Sequence, residues 1–122
     1  MIPKVQLAPD YAVSQLIVGG WQLQNRGDDA IEDLLQLSRL GITAYETSDT
    51  YSNGQSLLGK FLSKARQSLP SEKFSGIKIH TRYTAPVTGS APSKATIVAS
   101  VDRSLRELNL PRLDLLQLQW WN

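Results

Sequence analysis

The 122-residue chain contains no cysteine, which excludes a disulfide framework, a thiolate nucleophile and a Cys-ligated metal. No metal site is expected. No apolar run reaches the roughly 18 residues that a transmembrane helix requires, and Met1-Ile2-Pro3-Lys4 is followed by no apolar signal core. The sequence therefore reads as soluble and non-secreted, with the cytoplasm as the expected location. Thirteen Lys and Arg against eleven Asp and Glu leave a formal charge of +2 that is scattered along the chain. Such a balance asks for neither nucleic acid nor a membrane surface. The single histidine, His80, is expected at a solvated strand end. A Gly-x-Gly-x-x-Gly dinucleotide fingerprint is also absent.

What is present alternates between two hydrophobic periods. Val5 to Leu7 and Ser14 to Val18 flank the turn-forming Ala8-Pro9-Asp10-Tyr11, which predicts an antiparallel hairpin. Leu16 to Trp21 reads as a first strand of the parallel set, an apolar run ended by Gly19-Gly20. Asp28 is placed to cap a helix whose apolar face is Ile31, Leu34 and Leu35, with Gly41 as terminator. Ile42 to Glu46 is a second strand. A second helix follows Asn53-Gly54, with Leu57, Leu58, Phe61, Leu62 and Ala65 at helical spacing and a basic, solvated opposite face. Pro70-Ser71-Glu72 breaks the pattern, and Phe74 to His80 reads as a third strand. Tyr83 to Pro92 is a loop of small and turn-forming residues. Ser93 caps a third helix carrying Ile97, Val101, Leu105 and Leu108, stopped by Asn109 and Pro111, and Leu113 to Trp120 is a fourth strand. Each crossover is long enough for a parallel neighbour.

The stretch Glu46-Thr47-Ser48-Asp49-Thr50-Tyr51-Ser52-Asn53-Gly54 sits where a strand opens into a loop, the place where α/β enzymes keep their chemistry. It resembles the Asp-Thr-Ala-Asp-x-Tyr-Gly signature of the aldo-keto reductases. Gly19-Gly20-Trp21 looks like that family's Gly-Thr-Trp segment, with Gly20 in place of the threonine. Gly76-Ile77-Lys78-Ile79 looks like the strand that carries its catalytic lysine. Ser104-Leu105 through Asp114-Leu115 is similar to its helix-to-strand passage, and Asp114-Leu115-Leu116-Gln117-Leu118-Gln119-Trp120 matches a segment in which the family has histidine at the position of Gln119. The resemblance runs from Val5 to Trp121. It implies the N-terminal half of a (β/α)8 barrel of roughly 250 residues, preceded by a hairpin and occupying residues 1–122 as strands one to four and helices one to three.

Carbonyl reduction needs a hydride at carbon and a proton at oxygen, and a phenol with a pKa near ~10 gives up its proton at neutral pH only with a nearby cation favouring the phenolate. The resemblance implies Tyr51 as proton donor, Lys78 as that cation, Glu46 as the carboxylate that orients Lys78, and Gln119 as a guide for the carbonyl. Lys78 between apolar residues is expected to point into the barrel and to be paired. Gly20, Trp21 and Glu46 are implied at the nicotinamide of NADP(H), and Trp21 and Trp120 beside the small-molecule carbonyl substrate. Asp49 is open to two readings, a cap for the loop or the following helix, or a contact to a ligand. The family's phosphate and adenine contacts lie mainly in strands seven and eight, so the expected protein is half of a longer NADPH-dependent reductase of aldehydes or ketones, or a truncated product, with altered or lost activity. A non-catalytic protein that senses cofactor or binds a partner is the alternative. Open sheet edges are expected to favour self-association.

Overall fold

Strand and helix alternation produces, in a computed structural model of the chain, a four-stranded parallel sheet of order β3-β4-β5-β6. Its strands are β3 (Ile17–Gly19), β4 (Ala44–Glu46), β5 (Lys78–Thr84) and β6 (Leu115–Gln119). Helices α1 (Asp29–Arg39), α2 (Gly54–Ser68) and α4 (Lys94–Leu108) are the crossovers, and a short α3 (Ser71–Ser75) precedes β5. The structure describes residues 1–87 and 89–120, so Trp121, the far end of the resemblance, lies outside the described residues.

Residues of one parity on each strand face the helices, where Tyr45 and Ile79 meet Leu34, Leu35, Leu58, Phe61, Leu62 and Leu108 in a single core. The Tyr45 hydroxyl donates to Leu34 O at 3.2 Å and lies 2.5 Å from Ser38 Oγ. Burial pushes this phenol up to about 12, opposed by the Ser38 bond. The opposite parity, Ala44 and Glu46 on β4 and Lys78, His80, Arg82 and Thr84 on β5, forms the barrel-side face.

Ser93 caps α4 by accepting from Thr96 N at 3.1 Å, and Asn109 ends it in the left-handed conformation at φ 54°. Gly41, at φ 107°, terminates α1 as expected. Asp28 does not cap α1: its own backbone is helical, and its carboxylate pairs with Lys60 at 3.3 Å instead.

Strands β3, β4 and β6 are each shorter than the sequence reading, and three larger differences stand beside them. The second hairpin arm is β2 (Tyr11–Ser14), paired with β1 (Lys4–Ala8), and Ser14 to Val18 does not continue it. Ser14 instead turns into the sheet, exchanging bonds with Thr43 at 2.7 and 2.9 Å. A short helix was not expected after Pro70. Pro70 sits at the N-cap and its carbonyl accepts from Lys73 N and Phe74 N at 3.0 Å, so Ser71 to Ser75 coils, carries Phe74 under the Arg66 guanidinium at 4.8 Å, and stops at Gly76. Strand β5 consequently begins at Lys78 and runs to Thr84, four residues beyond the expected end at His80.

His80 is not solvated. It is 4% exposed on the barrel-side face, with Nε2 at 2.8 Å from the Tyr11 hydroxyl of the hairpin. Burial lowers the imidazole pKa, against the opposing charges of Asp114 and Glu46. Burial, helped by Asp114, raises the Tyr11 phenol to about 12.

Candidate active site

At the C-terminal end of the sheet the side chains of four elements meet around one guanidinium. Arg82 Nε donates to Glu46 Oε1 at 3.0 Å, and Nη2 lies 2.8 Å from the same oxygen. Nη1 donates to Gln119 Oε1 at 2.9 Å, and Nη2 also donates to the Tyr51 hydroxyl. The Arg82 Cζ lies 5.2 Å from the centre of the Tyr51 ring. Glu46 and Arg82 are both mostly buried, which strengthens the pair relative to one in open water.

The register explains the convergence. Glu46 lies level with Gly19 and His80, Arg82 is two residues further along β5, and Gln119 lies opposite Thr84. Glu46 therefore reaches forward to Arg82. Its extra methylene relative to aspartate suits that reach. Its other oxygen accepts from Gly20 N at 3.4 Å. A Cβ at residue 20 would come within 2.4 Å of the Glu46 carbonyl, so this backbone admits only glycine where the resembling segment has threonine.

Lys78 does not join the cluster. Strand parity does turn it towards the barrel side, but it is the first residue of β5 and lies level with Ala44, at the opposite end of the strand from the site. Four residues of strand amount to about 13 Å, and Lys78 forms no salt bridge with any described residue. The cation paired with Glu46 is Arg82, which sequence reasoning missed because it ended the strand at His80. A signal was available: Thr81 and Tyr83, β-branched and aromatic, extend the strand pattern through Arg82.

Trp21 opens a 3-10 turn after β3 and sets its ring edge-on to Tyr51, with centroids 5.4 Å apart at 74°. The two loops involved are bonded together: Ser52 N donates to Gln24 Oε1 at 3.2 Å and Asn53 Nδ2 to Arg26 O at 3.0 Å. Tyr51 is buried, whereas Trp21 is 64% exposed and presents a free indole face beside it. Trp120 follows Gln119 directly and is half exposed.

Hydrogen-bond direction gives the cluster its chemical character. A guanidinium only donates, so Gln119 must turn Oε1 to Arg82, which leaves its two amide N–H donors for another acceptor. Tyr51 likewise accepts from Arg82, and its own O–H is not consumed by that bond. Two donor groups, the Tyr51 hydroxyl and the Gln119 amide, are thus offered at one open end of the sheet.

Residues 15–122 match the Aldo/keto reductase family, and the chain belongs to it. An aldo-keto reductase from Bacillus halodurans, solved in holo form, is 29% identical, with TM-score 0.78 over 97% of this chain and 40% of its own. A protein from Pseudomonas aeruginosa assigned to the aldo-keto reductases is 27% identical, with TM-score 0.74 over 94% of this chain and 45% of that one. A Bombyx mori aldo-keto reductase in complex with NADP shares the fold at 16% identity and TM-score 0.73. This chain spans less than half the length of each, covering 37% of the Bombyx chain. No curated protein matches it significantly by sequence.

Proposed function

We infer that the cluster is an NADP(H)-dependent carbonyl-reducing site in which Tyr51 delivers the proton, Gln119 steers the carbonyl oxygen, and Arg82, held by Glu46, is the cation. The observation that carries this reading is the direction of the bonds around Arg82, which occupies acceptors and leaves the donors of Tyr51 and Gln119 unspent. The residues suit the nicotinamide end of the cofactor: Trp21 offers an exposed apolar face, and the glycine at 20 keeps the adjoining backbone bare. Gly20 and Trp21 would hold it there. When bound, it supplies hydride to the carbonyl carbon.

Charge then builds on the carbonyl oxygen, where Tyr51 gives up its proton and a Gln119 N–H donates. The guanidinium balances the phenolate that remains. Arginine does not lose its own proton at working pH, so Arg82 balances charge but cannot relay protons. Slower turnover than that of a lysine site is expected. The phosphate and adenine ends of the cofactor need residues outside this half of a barrel, and the aldehyde or ketone class is as far as the donors define the substrate. The reading includes a cytoplasmic setting, supported by the cysteine-free composition. No helix among the described residues is long and apolar enough to cross a membrane.

The test is NADPH consumption with a panel of aldehydes and ketones, comparing the native protein with Tyr51→Phe. Removing the acid should cut the rate by roughly 10²–10⁴-fold; unchanged rates would sink the assignment. The specific case for a binding protein is that Glu46 and Gln119 depart from the pattern that the chain resembles, and that the cation they meet is Arg82 and not a lysine. Cofactor binding without turnover, and no gain from combining E46D, R82K and Q119H, would favour that second reading.

A further inference from the structure

We propose that Asp49 is a positioning residue that fixes Tyr51 against Arg82 by serving as the last rung of the sheet. The proposal rests on the reductase reading of the site for its kinetic arm only. Strand β4 ends at Glu46, yet its ladder with β5 continues: Thr47 N donates to His80 O at 2.8 Å and Asp49 N to Arg82 O at 3.1 Å. The next donor on β5, Thr84 N, is met not by main chain but by Asp49 Oδ2 at 3.0 Å. Ser48 Oγ donates to the other oxygen, Oδ1, at 3.2 Å, and so sets the carboxylate plane. Asp49 therefore clasps β5 on both sides of Tyr83, through the carbonyl of Arg82 and the N–H of Thr84.

The chain can then leave the sheet without losing its register to it. Directly after this clasp, Tyr51 N donates to Ser48 O at 3.2 Å, closing the turn that aims the phenol back at the guanidinium. Two separate strands' worth of chemistry are thus tied by one side chain that touches neither reacting atom. What the position requires is a short side chain with an acceptor, not a negative charge. Asparagine meets that requirement and alanine does not.

The experiment compares Asp49→Ala and Asp49→Asn in the native protein, with Asp49→Ser as a second short acceptor should alanine fail to fold. Two readouts are taken: the Arg82 Nε–H resonance, assigned by its loss in Arg82→Lys, and kcat against KM for aldehyde reduction. The alanine variant should shift the resonance and lower kcat by on the order of 100-fold, as expected for a misplacement near 1 Å, with KM little changed; asparagine should restore both. An unmoved Arg82 resonance in Asp49→Ala overturns the proposal, and so does an asparagine variant as damaged as alanine. If the native protein reduces nothing, the reductase reading falls while the resonance still decides the role of Asp49.

Discussion

Arg82 shows how one residue can redefine a site. Its fork matches three acceptors at once, a geometry that a single ammonium cannot reproduce, so lysine at this position would keep the charge and lose most of the bonds. Arg82→Lys is expected to lower the reduction rate by roughly 10-fold or more, about 1.4 kcal/mol of lost transition-state stabilisation. Lys78→Ala should leave it within about twofold, since its side chain starts about 13 Å away. Steady-state kinetics on both variants checks the pair, and the reverse ranking would return the role to Lys78. Glu46 and Tyr51 were singled out from the strand-end motif and Gln119 from the fourth-strand segment, and all three meet at Arg82. Arg82 was not, because its identity as a site residue depends on where β5 ends.

At the scale of elements, the start of β5 at Lys78 was set by α3. A proline followed by Ser and Glu reads equally as a break or as the first turn of a helix, and tertiary packing of Phe74 under Arg66 decided for the helix. Alternation of strand and helix, the Ser93 cap and the Gly41 and Asn109 terminators were all readable, since each depends on residues close in sequence. The burial of His80 was not, because its partner Tyr11 is on the hairpin, sixty-nine positions away. Gly59 is a further nonlocal case: a Cβ there would lie 2.4 Å from the Glu107 carbonyl of α4. Alanine gains about 1 kcal/mol in helix propensity, but the contact is with backbone, and overpacking of this kind costs about 1–3 kcal/mol. Gly59→Ala should therefore lower the urea midpoint despite improving the helix.

His80 also links the hairpin to pH. Its folded pKa is lowered by burial, so between the unfolded value near 6.5 and the lower folded value the unfolded chain binds more protons. Stability from this group is complete above about 6.5 and is lost as pH falls through and below that value. Tyr11, Asp114 and Glu46 are the titratable groups that act on it, and Tyr11 stays protonated throughout this range. Urea midpoints should decline from neutral to mildly acidic pH, and His80→Gln should flatten the decline. An unchanged slope in that variant would assign the acid sensitivity elsewhere.

Considered as a whole molecule, the sheet has two outer strands, β3 and β6, each paired on one side only among the described residues. Neither carries a charge or a proline, the usual devices that blunt an edge. Leu118 is 67% exposed on β6, and Ile17 is exposed on β3. Concentration-dependent self-association of the chain is expected, and Leu118→Lys should reduce it; light scattering over a dilution series checks this. Equal scattering from both proteins would exonerate the β6 edge. The order of alternating strands and helices was readable from hydrophobic periodicity, α3 apart, and its reading as half of a barrel came from the family resemblance.

The Glu46–Arg82 contact also bears on how a ligand finds this site. Two opposite charges 2.8 Å apart cancel at short range, so the one strong cation of the cluster projects little field into solution. On the proposed reading, molecules would not be gathered towards the mouth by their charge but sorted on arrival, by whether an oxygen can meet the donors of Tyr51 and Gln119 and whether the rest can lie against the indole of Trp21.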